Sequence, residues 1–527
     1  MNRISAAALL SAALLLSACT SPAPAPGAEK EGDVWTLVLS DGEITLDGAV
    51  LDQGEEGTVT VTRDIVYYQD GTDESYGEGS AADMHTAQEA DTHRVVTIRE
   101  AGTYRVSGVL SPGQLAVDLG KDAKRDPEAK VTLILDGVDI TCTVAPAVIF
   151  YNVYECDTEW TAYDEGEHET YSASPLVDTS AAGANVILAD GSSNQVSGSY
   201  VARIYKEGTT KKLHKYDGAF YSKMSMNIGG EEEGSGILTI TAENEGLDSE
   251  LHLTVNGGNI VIQAQNDGIN TNEDGVSVTT INAGTLRINA GLGAEGDGID
   301  SNGHIVFNGG TVYTISNDRS PDGGIDADGE ILINGGCLIA AGTRNDTVST
   351  DSTQPYMELS FASALPAGSQ VELEGTSLSF TTEKTTQSIV FSAPELQLDT
   401  DYTLTVNGAV QQYTGHAAGG FGGGMGGQPP QPPEGQGTPP DLPEFPDGQM
   451  EPPDGGTEPP DRPPESPALE SAPPDGQPEP PGRAEEPPDG QPHRMPGGRG
   501  QTLAEPSVSF TLTDTVRAFS GISDQVS

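Results

Sequence analysis

Asp297-Gly-Ile-Asp-Ser-Asn-Gly-His-Ile-Val-Phe-Asn-Gly-Gly310 is one statement of a phrase that the chain makes five times. The other statements begin Asp217-Gly-Ala-Phe-Tyr-Ser, Glu245-Gly-Leu-Asp-Ser, Asp267-Gly-Ile-Asn-Thr and Gly323-Gly-Ile-Asp-Ala. Their glycines, Gly218, Gly246, Gly268, Gly298 and Gly324, stand 28, 22, 30 and 26 residues apart. Four statements close on Asn-Gly-Gly or its variant, at Asn227, Asn256, Asn308 and Asn334, and the copy at Asp267 closes on Asn282-Ala-Gly. A period in the twenties, with β-type residues between glycine corners, predicts a solenoid of stacked short strands.

Strand alternation assigns the phrase two faces. Leu247, Ile269, Ile299 and Ile325 form an inner column, and Asp248, Asn270, Asp300 and Asp326 an outer one. Equivalent positions of adjacent parallel strands lie about 4.8 Å apart. Stacked carboxylates repel at that spacing unless a cation sits between them. Calcium takes oxygen ligands at about 2.3–2.6 Å and can bridge two rungs. The expected ligands are Asp248, Asp267, Asn270, Asp297, Asp300 and Asp326, with Glu245 near the same edge. The first statement departs from the pattern, with Phe220 where the others carry Asp or Asn, so calcium is not expected there. The competing use of these residues is turn formation, in which Asp and Asn cap their own backbone, and Asn-Gly-Gly is such a turn signal.

Working outward, strand-like segments recur from Val95 onward, and we place a parallel β-helix over 95–350 behind an N-terminal β cap at 34–94. Residues 355–415 alternate without the phrase and read as a small β module. Residues 416–503 are Gly-rich and then Pro-rich, a composition that cannot bury a core and is expected to be disordered. Residues 504–527 alternate again and are expected to dock as a strand. At the other end, Arg3 and an apolar run predict a signal peptide over 1–18, and Leu16-Ser-Ala-Cys19 looks like a bacterial lipobox. Lipid on Cys19, followed by a tether at 19–33, would hold the protein to a membrane outside the cytoplasm, at the cell surface. An oxidising location permits a Cys142–Cys156 disulfide.

The formal charge of −55 over 527 residues makes nucleic acid and anionic membrane surfaces poor partners. Two local clusters run against the composition. Trp160 and Tyr163 lie in an aromatic stretch and are candidate platforms for sugar rings, though such side chains also cap cores. Arg203, Lys206, Lys211, Lys212, Lys215 and Lys223 form a basic cluster. Lys206 and Lys223 could hold a uronate carboxylate, and ion pairs with nearby acids account for the cluster equally well.

Val131-Thr-Leu-Ile-Leu-Asp-Gly-Val-Asp-Ile-Thr, Phe220-Tyr-Ser-Lys223, the repeats, Ser388-Ile-Val-Phe-Ser-Ala-Pro-Glu-Leu and Phe510-Thr-Leu-Thr-Asp-Thr-Val-Arg-Ala-Phe-Ser-Gly resemble a family of bacterial surface proteins known from clostridia. These are the carbohydrate-binding domain-containing proteins. The resemblance implies a right-handed parallel β-helix similar to pectate lyases, bound calcium, and binding of cellulose or acidic pectin-type chains without established cleavage. The expectation is therefore an all-β, monomeric, non-catalytic polysaccharide binder. Two alternatives stand beside it: a calcium-dependent lyase acting by β-elimination on uronates, with Lys223, Lys206 or Arg203 as base, and a structural adhesin.

Overall fold

The computed structural model describes residues 34–69, 76–206, 208–209, 211–417 and 502–525. The expected signal peptide, Cys19, the expected tether and the Pro/Gly-rich run between 418 and 501 lie outside the described residues. The described residues belong to one compact unit, Met1–Gly423 with Arg499–Ser527.

This unit is all-β. Nine strands form one sheet in chain order: Val59–Thr62, Arg94–Ile98, Gly113–Asp118, Val148–Asn152, Gly218–Ser222, Glu245–Ser249, Ile269–Thr271, Ile299–Ser301 and Ile325–Ala327. From Arg94–Ile98 onward every neighbour is parallel. Parallel neighbours need a crossover, and here the crossover is itself strand. Leu253–Ala264, for example, lies between Glu245–Ser249 and Ile269–Thr271 and pairs in parallel with Val278–Asn289 in a second sheet. Each strand thus pairs with its counterpart one repeat later.

The register stacks like on like. Leu247 pairs with Ile269, Ile269 with Ile299, and Ile299 with Ile325, and all four are fully buried. Facing columns such as Val255–Ile281–Phe307–Ile333 complete the interior. Burial of each such side chain is worth about 1.5–3 kcal/mol. The phrase glycines serve close approach. A β-carbon on Gly298 would run into Thr314 Oγ1 and the Gly324 carbonyl, and one on Gly268 into Ile288. The left-handed backbone falls instead on the closing Asn-Gly-Gly, at Gly310 (φ +80°) and Gly336 (φ +90°).

The asparagines of those closures do more than turn the chain. Asn282 Nδ2 donates to Asn256 Oδ1 (2.9 Å), Asn308 Nδ2 to Asn282 Oδ1 (3.0 Å) and Asn334 Nδ2 to Asn308 Oδ1 (3.0 Å). The result is an amide ladder up the side of the stack.

Both ends of the stack are closed by a change of direction. Val59–Thr62 pairs antiparallel with Arg94–Ile98. At the far end Cys337–Gly342 pairs antiparallel with Thr386–Ser392. Beyond it the strands are predominantly antiparallel and enclose a second core, in which the rings of Tyr413, Phe510 and Phe519 lie 4.9–5.2 Å apart. Ala518–Asp524 lies between Tyr356–Leu365 and Ala409–Ala417.

Two expectations are corrected. Cys142 and Cys156 are free thiols. Cys142 ends strand Val131–Cys142 with its side chain in the core, whereas Cys156 lies past strand Val148–Asn152, in the turn before helix Thr158–Asp164. At the first repeat the register is offset by one residue from the phrase: Gly218 pairs with Glu245, Phe220 with Leu247 and Tyr221 with Asp248. Phe220 belongs to the inner column, and Tyr221 holds the outer position.

Candidate functional site

The outer column is not a solvent face. Asp248 is 0% exposed and Asn270 6%. The cover comes from an antiparallel hairpin, Val201–Tyr205 with Lys212–Tyr216, that directly precedes the first repeat strand. Tyr221 Oη shares its one proton between Glu250 Oε1 (2.5 Å) and the Lys215 carbonyl (2.9 Å), and Lys212 Nζ pairs with Glu250 at 3.0 Å.

Beneath that hairpin three buried acids converge. One carboxylate oxygen each from Asp217, Glu245 and Asp248 lies within 4.8 Å of the others, the one such group among the described residues. Gly218 makes room for it, since a β-carbon there would meet Asp248 Cβ at 2.5 Å. Lys215 Nζ sits 2.6 Å from Asp217 Oδ2, and Asn272 Nδ2 donates to Asp248 Oδ1 at 2.7 Å. Glu245 Oε2, Asp248 Oδ2 and Asn270 Oδ1 are buried without a hydrogen-bond partner. Burial first, and then mutual repulsion, pushes Glu245 and Asp248 well above the ordinary carboxylate range; burial raises Asp217 as well, against the pull of Lys215. Unpartnered buried acceptors are costly, about 1–3 kcal/mol each and more when charged. The free donors are all oxygens, with no His or Cys among them. That set fits a hard cation such as calcium and not a zinc site.

The other expected ligands are engaged differently. Asp267 Oδ1 accepts from the Asp297 amide (2.6 Å), and Asp297 Oδ1 from the Gly323 amide (2.5 Å). Each caps the backbone of the next rung. Asp300 and Asp326 pair in register and are half-buried. Burial raises Asp297 to about 7 and Asp300 to about 6. Asp326 is raised by burial and by its neighbour Asp346, with Arg344 4.0 Å away. Asp217 was not anticipated, because the one-residue offset at the first repeat hides its alignment. The lysine two residues before it was the available signal.

Beside the hairpin lies a cleft of about 830 Å³ whose wall includes Asp118, Tyr151, Asn152, His214, Tyr216 and Lys223. Asp118 is held by Arg99 (2.8 Å) and Asn152 (2.7 Å). The Tyr151 and Tyr216 rings meet edge to face at 5.6 Å. Lys223 has no ion-pair partner among the described residues, and burial lowers its pKa. Of the expected sugar contacts only Lys223 is on this wall. Lys206 is exposed elsewhere, and Arg203 is paired with Glu78 at 3.0 Å. Trp160 is corrected as a platform. It is 7% exposed, packed against Leu251 and Val276, and its amide is capped by Asp157 at 2.8 Å. Helix Thr158–Asp164 buries that face and leaves Tyr163 outside, 43% exposed.

A family model described as "Carbohydrate-binding domain-containing protein" matches residues 92–166 and 167–386. A curated protein of the same description from Acetivibrio thermocellus is 29% identical over 174 residues, 33% of this chain. The match spans 46% of that relative's length. A solved structure titled "Structure of the polysaccharide lyase-like protein from C. thermocellum, Gadolinium derivative" aligns over 57% of this chain and 92% of its own, at 21% identity and a TM-score of 0.31.

Proposed function

Because the chain belongs to the family of carbohydrate-binding domain-containing proteins, we propose that it binds polysaccharide without cleaving it, as an exported monomer held to the membrane through lipid on Cys19. The family match over 92–386 carries this reading, since it takes in both the acid cluster and most of the strands that line the cleft. In the same reading the parallel stack winds as a right-handed β-helix. Its cofactor is calcium, held by Glu245, Asp248 and Asn270 beside Asp217. A bound cation would neutralise the column and join adjacent rungs.

Lys223 orders the candidate polymers. Its half-buried ammonium lacks a carboxylate partner among the described residues, which suits an acidic, pectin-type chain better than neutral cellulose. The same lowered pKa also favours a second reading, a uronate lyase in which Lys223 takes the proton α to the sugar carboxylate. Affinity electrophoresis through polygalacturonate and through cellulose derivatives, with absorbance followed for unsaturated product, tests these readings together. Retention without product is the expected result. A sustained rise in absorbance would establish the lyase, and no retention on any polymer would favour a structural adhesin.

A further inference from the structure

The acid cluster contains its own cation. Asp217, Glu245 and Asp248 bring three carboxylates together, and among the described residues the one basic group in an ion pair with them is Lys215, 2.6 Å from Asp217. The neighbouring Glu250 is already matched by Lys212 at 3.0 Å and by Tyr221 at 2.5 Å. Asp267, one rung on, lies outside the group and accepts the Asp297 amide. The free acceptors therefore fall on one side. Asp217 has the lysine, while Glu245 Oε2, Asp248 Oδ2 and Asn270 Oδ1 have nothing. Asn270 is not an acid, is 6% exposed, and is the register partner of Asp248, so its orphaned amide oxygen points independently to a missing ligand.

We propose that Lys215 is a specificity-determining residue of this cation site, balancing Asp217 so that the group offers two uncompensated carboxylates and favours a trivalent over a divalent ion less than the three acids alone would. The proposal rests on the calcium reading above. Lys215 does not touch the polysaccharide and takes part in no reaction. It sets the charge that the site presents, from a hairpin whose backbone Tyr221 also holds. With Lys215 charged the three ionised acids sum to −2, and without it to −3. At these separations one unit charge in a low-dielectric site changes a trivalent ion's binding more than a divalent ion's.

The experiment uses the full chain and two metals alone, calcium and terbium, with terbium luminescence excited through tyrosine and displaced by calcium. Tyr221, paired in register with Asp248, places an aromatic donor at the site. Lys215→Met is expected to raise the preference for terbium over calcium by at least about tenfold. The double variant Lys215→Met/Asp217→Asn returns the charge to −2 and is expected to restore the original preference to within about threefold. Asp217→Asn alone leaves −1 and should move the preference toward calcium. That variant keeps the proposal testable if Lys215→Met does not fold. An unchanged ratio in Lys215→Met, or a double variant as shifted as the single, overturns the proposal while leaving the calcium reading intact. Failure of the unmodified chain to bind either ion overturns both.

Discussion

Asn256 and Asn282 lie on the same coils as Glu245, Asp248 and Asn270, and Asn308 and Asn334 on the two that follow, yet the amide column and the acid column meet opposite ends. In the first, each amide donates to the one below and accepts from the one above, at 2.9–3.0 Å. An amide carries both a donor and an acceptor, so a stack of them completes itself. An ionised carboxylate only accepts. Stacked on another it gains repulsion and no bond, and the buried column keeps three free oxygens. The difference teaches where to look for a ligand in a repeat protein: at the column whose chemistry cannot close on itself.

The comparison breaks most visibly with pH in chelated protein. Burial raises Asp297 to about 7 and Asp300 to about 6 from an unfolded value of 3.8, so the folded state holds these protons more tightly. That stability is full below about pH 4 and is lost as pH rises through 6 to 7. A tenfold change in proton affinity is worth about 1.4 kcal/mol, so the two shifts together amount to about 7 kcal/mol. A melting series in EDTA from pH 4 to 8 should fall by ~5–10 °C; a flat series would mean these acids ionise freely in the fold.

Calcium comes next. At a hundredfold excess over Kd it should add about 2.7 kcal/mol, seen as ~3 °C in melting temperature over EDTA at neutral pH. Asp248→Asn should melt higher than the unmodified chain in EDTA, because an amide is buried there without the desolvation cost that the acid carries, and should lose most of the calcium increment. An increment that survives this substitution would place the ion elsewhere. The smallest effect belongs to the amide column. Asn308→Asp removes one donated bond and keeps one accepted bond, costing about 1 kcal/mol. Calcium should not recover that loss, and recovery would mean the two columns are not chemically distinct.

Much of the architecture was legible because like residues must stack on like. The Leu247–Ile269–Ile299–Ile325 column follows from phrase alignment alone, and the register repeats it residue for residue. The alignment failed at the first repeat, where a one-residue offset between phrase and register exchanges the two faces and hides Asp217. Alternation also separates inner from outer without saying whether outer means wet. That depended on the hairpin ending at Tyr216, whose cover over Asp248 is a tertiary fact. Among the expected ligands, Asp267 and Asp297 were indistinguishable by type from Asp248. Only their backbone partners separate a rung cap from an oxygen left free. Trp160 misled for a related reason, since an aromatic three residues after Asp157 can sit on either side of a short helix.

The reversals of strand direction at Val59–Thr62 and Thr386–Ser392 have a genealogical consequence. A pile of identical coils without end pieces is a template for its own polymerisation, each open edge recruiting the next molecule. With both edges turned, growth is confined to the interior. Asn282, Asn308 and Asn334 stand 26 residues apart, so a duplicated segment of that length inherits its neighbours' register. A change in the number of coils by that route would leave both closures as they are.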